Sequence, residues 1–159
     1  MASELKTSPT TYANDASYGA TAWNVIFRTC PVDKTTSYYL KCTGFGFGIP
    51  SGATINGVHI AITASASAGT SAAQVQLVKG GSVAGTAKSG ASFPAGPYGG
   101  ASDLWGTTWS ATEINASGFG VALSGTGSAN GCDLTFSDVA ITVYYTTSAG
   151  VSKMMFHPF

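Results

Sequence analysis

The sequence predicts an all-β fold, a two-sheet antiparallel sandwich of jelly-roll-like type with about eight strands, on three observations. Apolar residues alternate with a period of two, helical spacing is nearly absent, and turn-forming clusters recur every ten residues or so. A strand turns successive side chains to opposite faces, so alternation marks a ribbon with one face in a core and the other outside. Twenty-one glycines in 159 residues weigh against helix, because glycine loses most backbone freedom in a helix interior.

Residues 1–20 show no alternation and read as an N-terminal arm, residues 21–147 as one sandwich domain, and residues 148–159 as an apolar C-terminal tail. Strands are expected at residues 23–28 and 38–47. In INGVHIAITA, Val58, Ile60 and Ile62 share one face, while Gly57, His59, Ala61 and Thr63 share the other. Val75 and Leu77 mark the next strand, residues 82–88 another, and Phe119, Val121 and Leu123 a further one. In the last strand Leu134 and Phe136 are out of phase with Val139, Ile141, Val143 and Tyr145, so a β-bulge near Ser137 and Asp138 is expected to restore the buried face. The pieces PSGA, KGGS, FPAGPYGG and SGTGSANG supply turns.

Charged residues make up only 9% of the chain, seven basic against seven acidic, where average proteins carry roughly a quarter. No field draws in a polyanion, so nucleic acid and anionic membrane surfaces are poor expectations as partners. No apolar run approaches the roughly 18 to 20 residues that span a bilayer. The first residues lack the basic and apolar blocks of a secretory signal, which suggests synthesis in a cytoplasm. Cys30, Cys42 and Cys132 match no zinc spacing; free apolar thiols are the favoured reading, and Cys30 to Cys42 is the pairing to expect if a bridge forms.

Catalysis needs a nucleophile beside a base, or paired carboxylates in a cleft. His59 belongs to the outward face of a strand and His157 lies in the tail, while Glu4, Asp15, Asp33, Asp103, Glu113, Asp133 and Asp138 are scattered. Turn and cap duty accounts for these carboxylates better than chemistry, and a calcium site on Asp133 and Asp138 is weighed and set below it. No catalytic, cofactor or metal residue is assigned. Tyr98, Trp105 and Trp109 pose a sharper choice: a stacking platform for sugar rings, or large plugs closing the sandwich. The plug is favoured.

Five segments in order, GFGFGIPSGATINGVHI, QLVKGG, GGASDLWGTTW, EINASGFGVAL and DVAITVYY, resemble a β-sandwich family of tailed-phage and prophage structural genes over roughly residues 38–146. The resemblance implies a non-enzymatic virion component, first a capsid cement (decoration) protein. Its partner would be the major capsid protein, its state a homotrimer, and its location the capsid surface after synthesis in the host cytoplasm. The alternative is a carbohydrate-binding or receptor-binding module of a tail or fibre. The tail VSKMMFHPF concentrates Met154, Met155, Phe156 and Phe159, which are expected to dock on a neighbouring subunit or the capsid, with the two phenylalanines as anchors.

Overall fold

Alternation becomes strand wherever the sequence carries it most clearly. The computed structural model describes residues 1–89 and 97–147. Among them form β1 (Ala2–Thr7), β2 (Thr11–Asp15), β3 (Thr29–Pro31), β4 (Tyr39–Thr43), β5 (Thr54–Ala66), β6 (Thr70–Lys79), β7 (Ser82–Lys88), β8 (Tyr98–Gly99), the helical turn α1 (Ala111–Asn115), β9 (Gly120–Gly127) and β10 (Asp133–Thr146). One sheet has the order β1-β10-β5-β8, with β3 also on β10; the other has the order β2-β4-β9-β6-β7. Every strand pairing is antiparallel. The chain is therefore the two-sheet sandwich that its periodicity predicts.

The expected bulge is present. The β10–β5 register shifts between Phe136 and Asp138, and Leu134 and Phe136 before it, like Val139, Ile141 and Val143 after it, are buried. One extra residue keeps fourteen residues of β10 on a single buried face. In β5, Val58 and Ile60 are fully buried while His59 on the other face is half-buried.

Three expectations are corrected. Residues 1–20 are no arm, since β1 and β2 each add a strand to one sheet, which with the short β3 and β8 makes ten strands among the described residues. Alternation is hidden in β1 because its inward positions carry charge: Glu4 and Lys6 lie opposite Val143 and Ile141. Their charges pair with each other at 3.1 Å, and the Glu4 carboxylate accepts the Gly48 amide at 3.1 Å. Inward charges on an edge strand disfavour wrong edge-to-edge pairing.

Residues 23–28 form a turn instead of a strand. The Asn14 side chain brackets the backbone of Trp23, accepting from its N–H at 2.8 Å and donating to its carbonyl at 2.9 Å. Asn24 and Thr29 then exchange backbone bonds at 2.8 and 3.3 Å, and the Asn24 Oδ1 accepts from Ile26 and Phe27 N–H. An asparagine that captures the amides just after it favours a turn over a ladder. Residues 44–47, expected to prolong β4, keep its alternation without its pairing: Phe45 and Phe47, and Ile49 after them, are buried while the chain crosses the end of the sandwich.

Asn115 holds that crossing segment as Asn14 holds Trp23, accepting from Ile49 N–H and donating to Ile49 C=O, both at 2.8 Å. The helical turn that carries it starts with a capping box, in which Ser110 Oγ accepts from Glu113 N–H and the Glu113 carboxylate accepts from Ser110 N–H. Below it Phe47 meets Phe119 edge-on at 5.6 Å, and Phe119 meets Trp109 at 5.4 Å. All three cysteines are buried and free; burial pushes the Cys42 thiol up to about 12 and the Cys30 thiol up to about 11.

Because Asn115 is itself exposed, its worth lies in those two bonds rather than in packing. Asn115→Ala leaves both Ile49 groups unpaired and should cost about 1 to 3 kcal/mol, read as a lower urea midpoint at unchanged slope. An unchanged midpoint would show that the bracket contributes nothing.

Candidate functional site

The tryptophan-rich segment is built by a short piece of chain that crosses from one sheet to the other. After β8, residues 100–110 pass over the open side between β5 and β7. Val58 N–H donates to Asp103 C=O at 2.9 Å on the first sheet, and Thr86 N–H donates to Trp105 C=O at 2.6 Å on the second. Between these bonds the Trp105 ring enters the core with no exposed area, and its Nε1 donates to the Val58 carbonyl at 2.9 Å. That carbonyl also accepts from Gly100 N–H at 3.1 Å.

The backbone of Trp105 sits at φ 59°, in the left-handed region that bulky residues rarely adopt. Its N–H is held by the Asp103 carboxylate at 2.7 Å. Two glycines make room. A Cβ on Gly99 would strike the Val58 carbonyl and lie 2.7 Å from Trp105 Nε1, and one on Gly85 would lie 2.5 Å from the Trp105 carbonyl.

Lysines cover what the core leaves open. Lys88 Nζ sits 4.9 Å from the Trp105 ring centre and 2.7 Å from Asp103; Lys79 Nζ sits 5.1 Å from the Trp109 ring centre and 2.9 Å from Glu113. Hydrogen bonding from Lys88, then from the Trp105 amide, holds the Asp103 carboxyl below its usual range against the opposing effect of burial. Glu113 is lowered chiefly by the Ser110 amide and then by Lys79.

This arrangement corrects the sugar-platform reading. Stacking needs an open ring face, and Tyr98, Trp105 and Trp109 are 6%, 0% and 8% exposed. They are plugs. The four interface candidates Met154, Met155, Phe156 and Phe159, and His157 with them, lie outside the described residues. Asp138 serves the backbone, its Oδ1 accepting from its neighbour Val139 N–H at 2.8 Å, while the main-chain N–H of Asp133 donates to Ser67 Oγ at 2.7 Å. Among the described residues no three His, Cys, Asp or Glu side chains converge as a metal site would require.

The exposed apolar surface lies elsewhere. Among the described residues the exposed large hydrophobics are Met1, Leu5, Ile26 and Phe27, the last two 80% and 68% exposed. β5 occupies one edge of β10 along nearly its whole length, so β1 and β3 share the other edge end to end. Arg28, which closes the turn bearing Ile26 and Phe27, extends the β3 pairing by accepting Phe136 N–H at 3.0 Å. All four exposed residues therefore flank one edge of one sheet. The sequence reading missed them because WNVIF alternates like a strand; the signal it passed over was Asn24, an Asx-turn former just before the pair.

Two outcomes follow from the tryptophan plug. Trp105→Ala should cost on the order of 3 to 5 kcal/mol in denaturant unfolding, and Trp105→Gly should be no worse despite its smaller volume, because glycine relieves the positive φ. A Gly variant clearly weaker than the Ala variant would contradict the strained backbone. Carboxyls whose folded pKa is depressed add stability above their ordinary pKa and lose it as pH falls through the folded value. Melting temperature should thus hold above about pH 5 and fall below about pH 4, and less steeply in Asp103→Asn. An identical acid profile for that variant would count against the Lys88–Asp103 contact.

No family model matches the chain, and no curated protein and no solved structure matches it significantly, so the phage-family resemblance stands on the five quoted segments alone.

Proposed function

We propose that the chain is a non-enzymatic virion structural protein, a capsid cement that binds the major capsid protein at the capsid surface and holds neighbouring capsomers together as a homotrimer. The observation that carries this reading is the contact edge: exposed large apolar side chains gather along β1 and the turn before β3, on a domain otherwise neutral and poor in charge. Large apolar side chains left exposed along one sheet edge are what a protein contact would cover. The turn is tied down by Asn24 and by the Asn24–Thr29 bridge, so it is presented without a large ordering cost on binding.

The winding of the chain adds support. With β2 and β3 set aside, the remaining eight strands fall into the orders β1-β10-β5-β8 and β4-β9-β6-β7, and we read this as a jelly-roll wind, an architecture shared by capsid and lectin domains. Fold alone does not choose between those two, and the burial of Trp105 and Trp109 favours the first. In the proposed role each copy adds apolar contact across a capsomer joint. Three linked copies make the attachment long-lived even where a single contact is weak.

Locating the labelled protein in intact particles by electron microscopy tests the proposal. Density repeating over the head lattice is the expected result. Label confined to the tail or fibres, or absent from particles, overturns it.

A further inference from the structure

The two sheets finish their outer faces differently. On the second sheet the Tyr39 hydroxyl bonds the Gln74 and Gln76 side chains, Tyr18 stacks on the Tyr39 ring at 4.9 Å, and Lys41 pairs with Asp15 at 3.1 Å. Val78 and Ala122 are buried in the same cluster. The first sheet has no such cover among the described residues. Its middle outward row crosses three strands, from Leu5 on β1 to Thr142 on β10 and His59 on β5. Two residues along, Ser3 and Tyr144 stand beside each other on one side of that row, and Thr7 and Ala140 on the other. None of these positions holds Lys, Arg, Asp or Glu, and the Thr142 and Tyr144 hydroxyls and the His59 ring have no hydrogen-bond partner among the described residues.

Charge enters this face only at its two ends. Half-buried Asp138 lies four residues along β10 from Thr142, and the amino group of Met1 lies four residues along β1 from Leu5, in the opposite direction. Both steps are even, so both residues belong to the outward face.

Equal and opposite steps make the face its own complement. Consider a half-turn whose axis lies in the contact plane, across the strands, along the middle row. Met1 of one copy then comes to the level of Asp138 of the other, one strand spacing or about 4.8 Å to the side, so opposite charges meet at both ends. The same operation sets the large Tyr144 against the small Ala140. On β5 it sets Gly57, where the backbone of Gly100 and Ala101 fills the space a Cβ would take, against the small, exposed Ala61. A half-turn along β10 instead would set Asp138 on Asp138 and Tyr144 on Tyr144, which charge and bulk both oppose.

We propose that the outward face of the β1-β10-β5 sheet binds the same face of a second copy, about a two-fold axis through Leu5, Thr142 and His59. The contact goes beyond the proposed function, because it needs no capsid and can pair single chains or homotrimers alike. From Asp138 to Thr146 the patch is about 26 Å long and about 14 Å wide, which is less than the roughly 800 Å² per partner of a standard interface. Pairing is therefore concentration-dependent.

Thiols placed on the face test the axis, since the native cysteines are buried. Treated with a short bis-maleimide at high concentration, Thr142→Cys should give a two-chain species on a denaturing gel, because a residue on the axis meets itself. Ser3→Cys and Thr7→Cys lie off the axis, each about 13 Å along the strand from its own copy, so each alone should stay single-chained. The two mixed should cross-link. By light scattering, the parent's mass should rise toward twice its dilute value as concentration approaches about 1 mM, while Thr142→Asp, which sets two carboxylates together on the axis, should hold the dilute value. Thr142→Cys that stays single-chained, Ser3→Cys that cross-links to itself, or a mass that Thr142→Asp leaves unchanged overturns the proposal. A mass of three chains unaffected by Thr142→Asp would overturn this interface and leave the homotrimer reading standing.

Discussion

Two sheets that share no strand leave gaps at both ends and along both sides, and this fold depends on closing them with large side chains rather than with covalent links. On the β7–β8 side the closure is Trp105, fixed by the carbonyl of Val58 on one sheet and the amide of Thr86 on the other. Across the molecule Arg28 reaches from the β3 side to Tyr12 of β2. Phe45, Phe47, Phe119 and Trp109 fill the end where β10 finishes, and Trp23 packs on Phe136 at 5.3 Å toward the other end. Each closure joins the two sheets across the core.

Such closure asks for backbone that is neither strand nor helix, and hydrogen bonds must be found for it. The chain solves this with side-chain amides. Asn14 and Asn115 each offer one donor and one acceptor in a plane, the same pair that a neighbouring strand would offer, and so complete the backbones of Trp23 and Ile49 where no strand is adjacent. The segments bearing the plugs are thereby held in place without widening either sheet. Ion pairs have a smaller part: Lys79 and Lys88 seal tryptophan faces while neutralising Glu113 and Asp103.

Much of this was legible in the residues, and the failures have causes. β5, β6, β9 and β10 are found by alternation because both their faces have settled environments, and the bulge after Phe136 is visible as a break in phase. β1 escapes because its inward face at the edge is charged, so polarity no longer reports side. The Ile26–Phe27 turn escapes for the opposite reason, since its apolar residues point outward and imitate a strand. The sequence marks the tryptophans as either plugs or platform, and only their depth decides between the two. What sequence periodicity cannot register is a contact between distant segments, such as Trp105 with Val58, forty-seven positions apart.

The buried thiols bear on where such a protein can serve. Cys30, Cys42 and Cys132 take part in no bridge, and burial keeps Cys30 and Cys42 protonated and out of reach of oxidants. The sandwich therefore reaches its final covalent form without an oxidising step. Its connectivity has no potential to be poised against, neither that of a glutathione-rich interior nor that of an aerated exterior. A chain built this way can cross from one to the other unchanged.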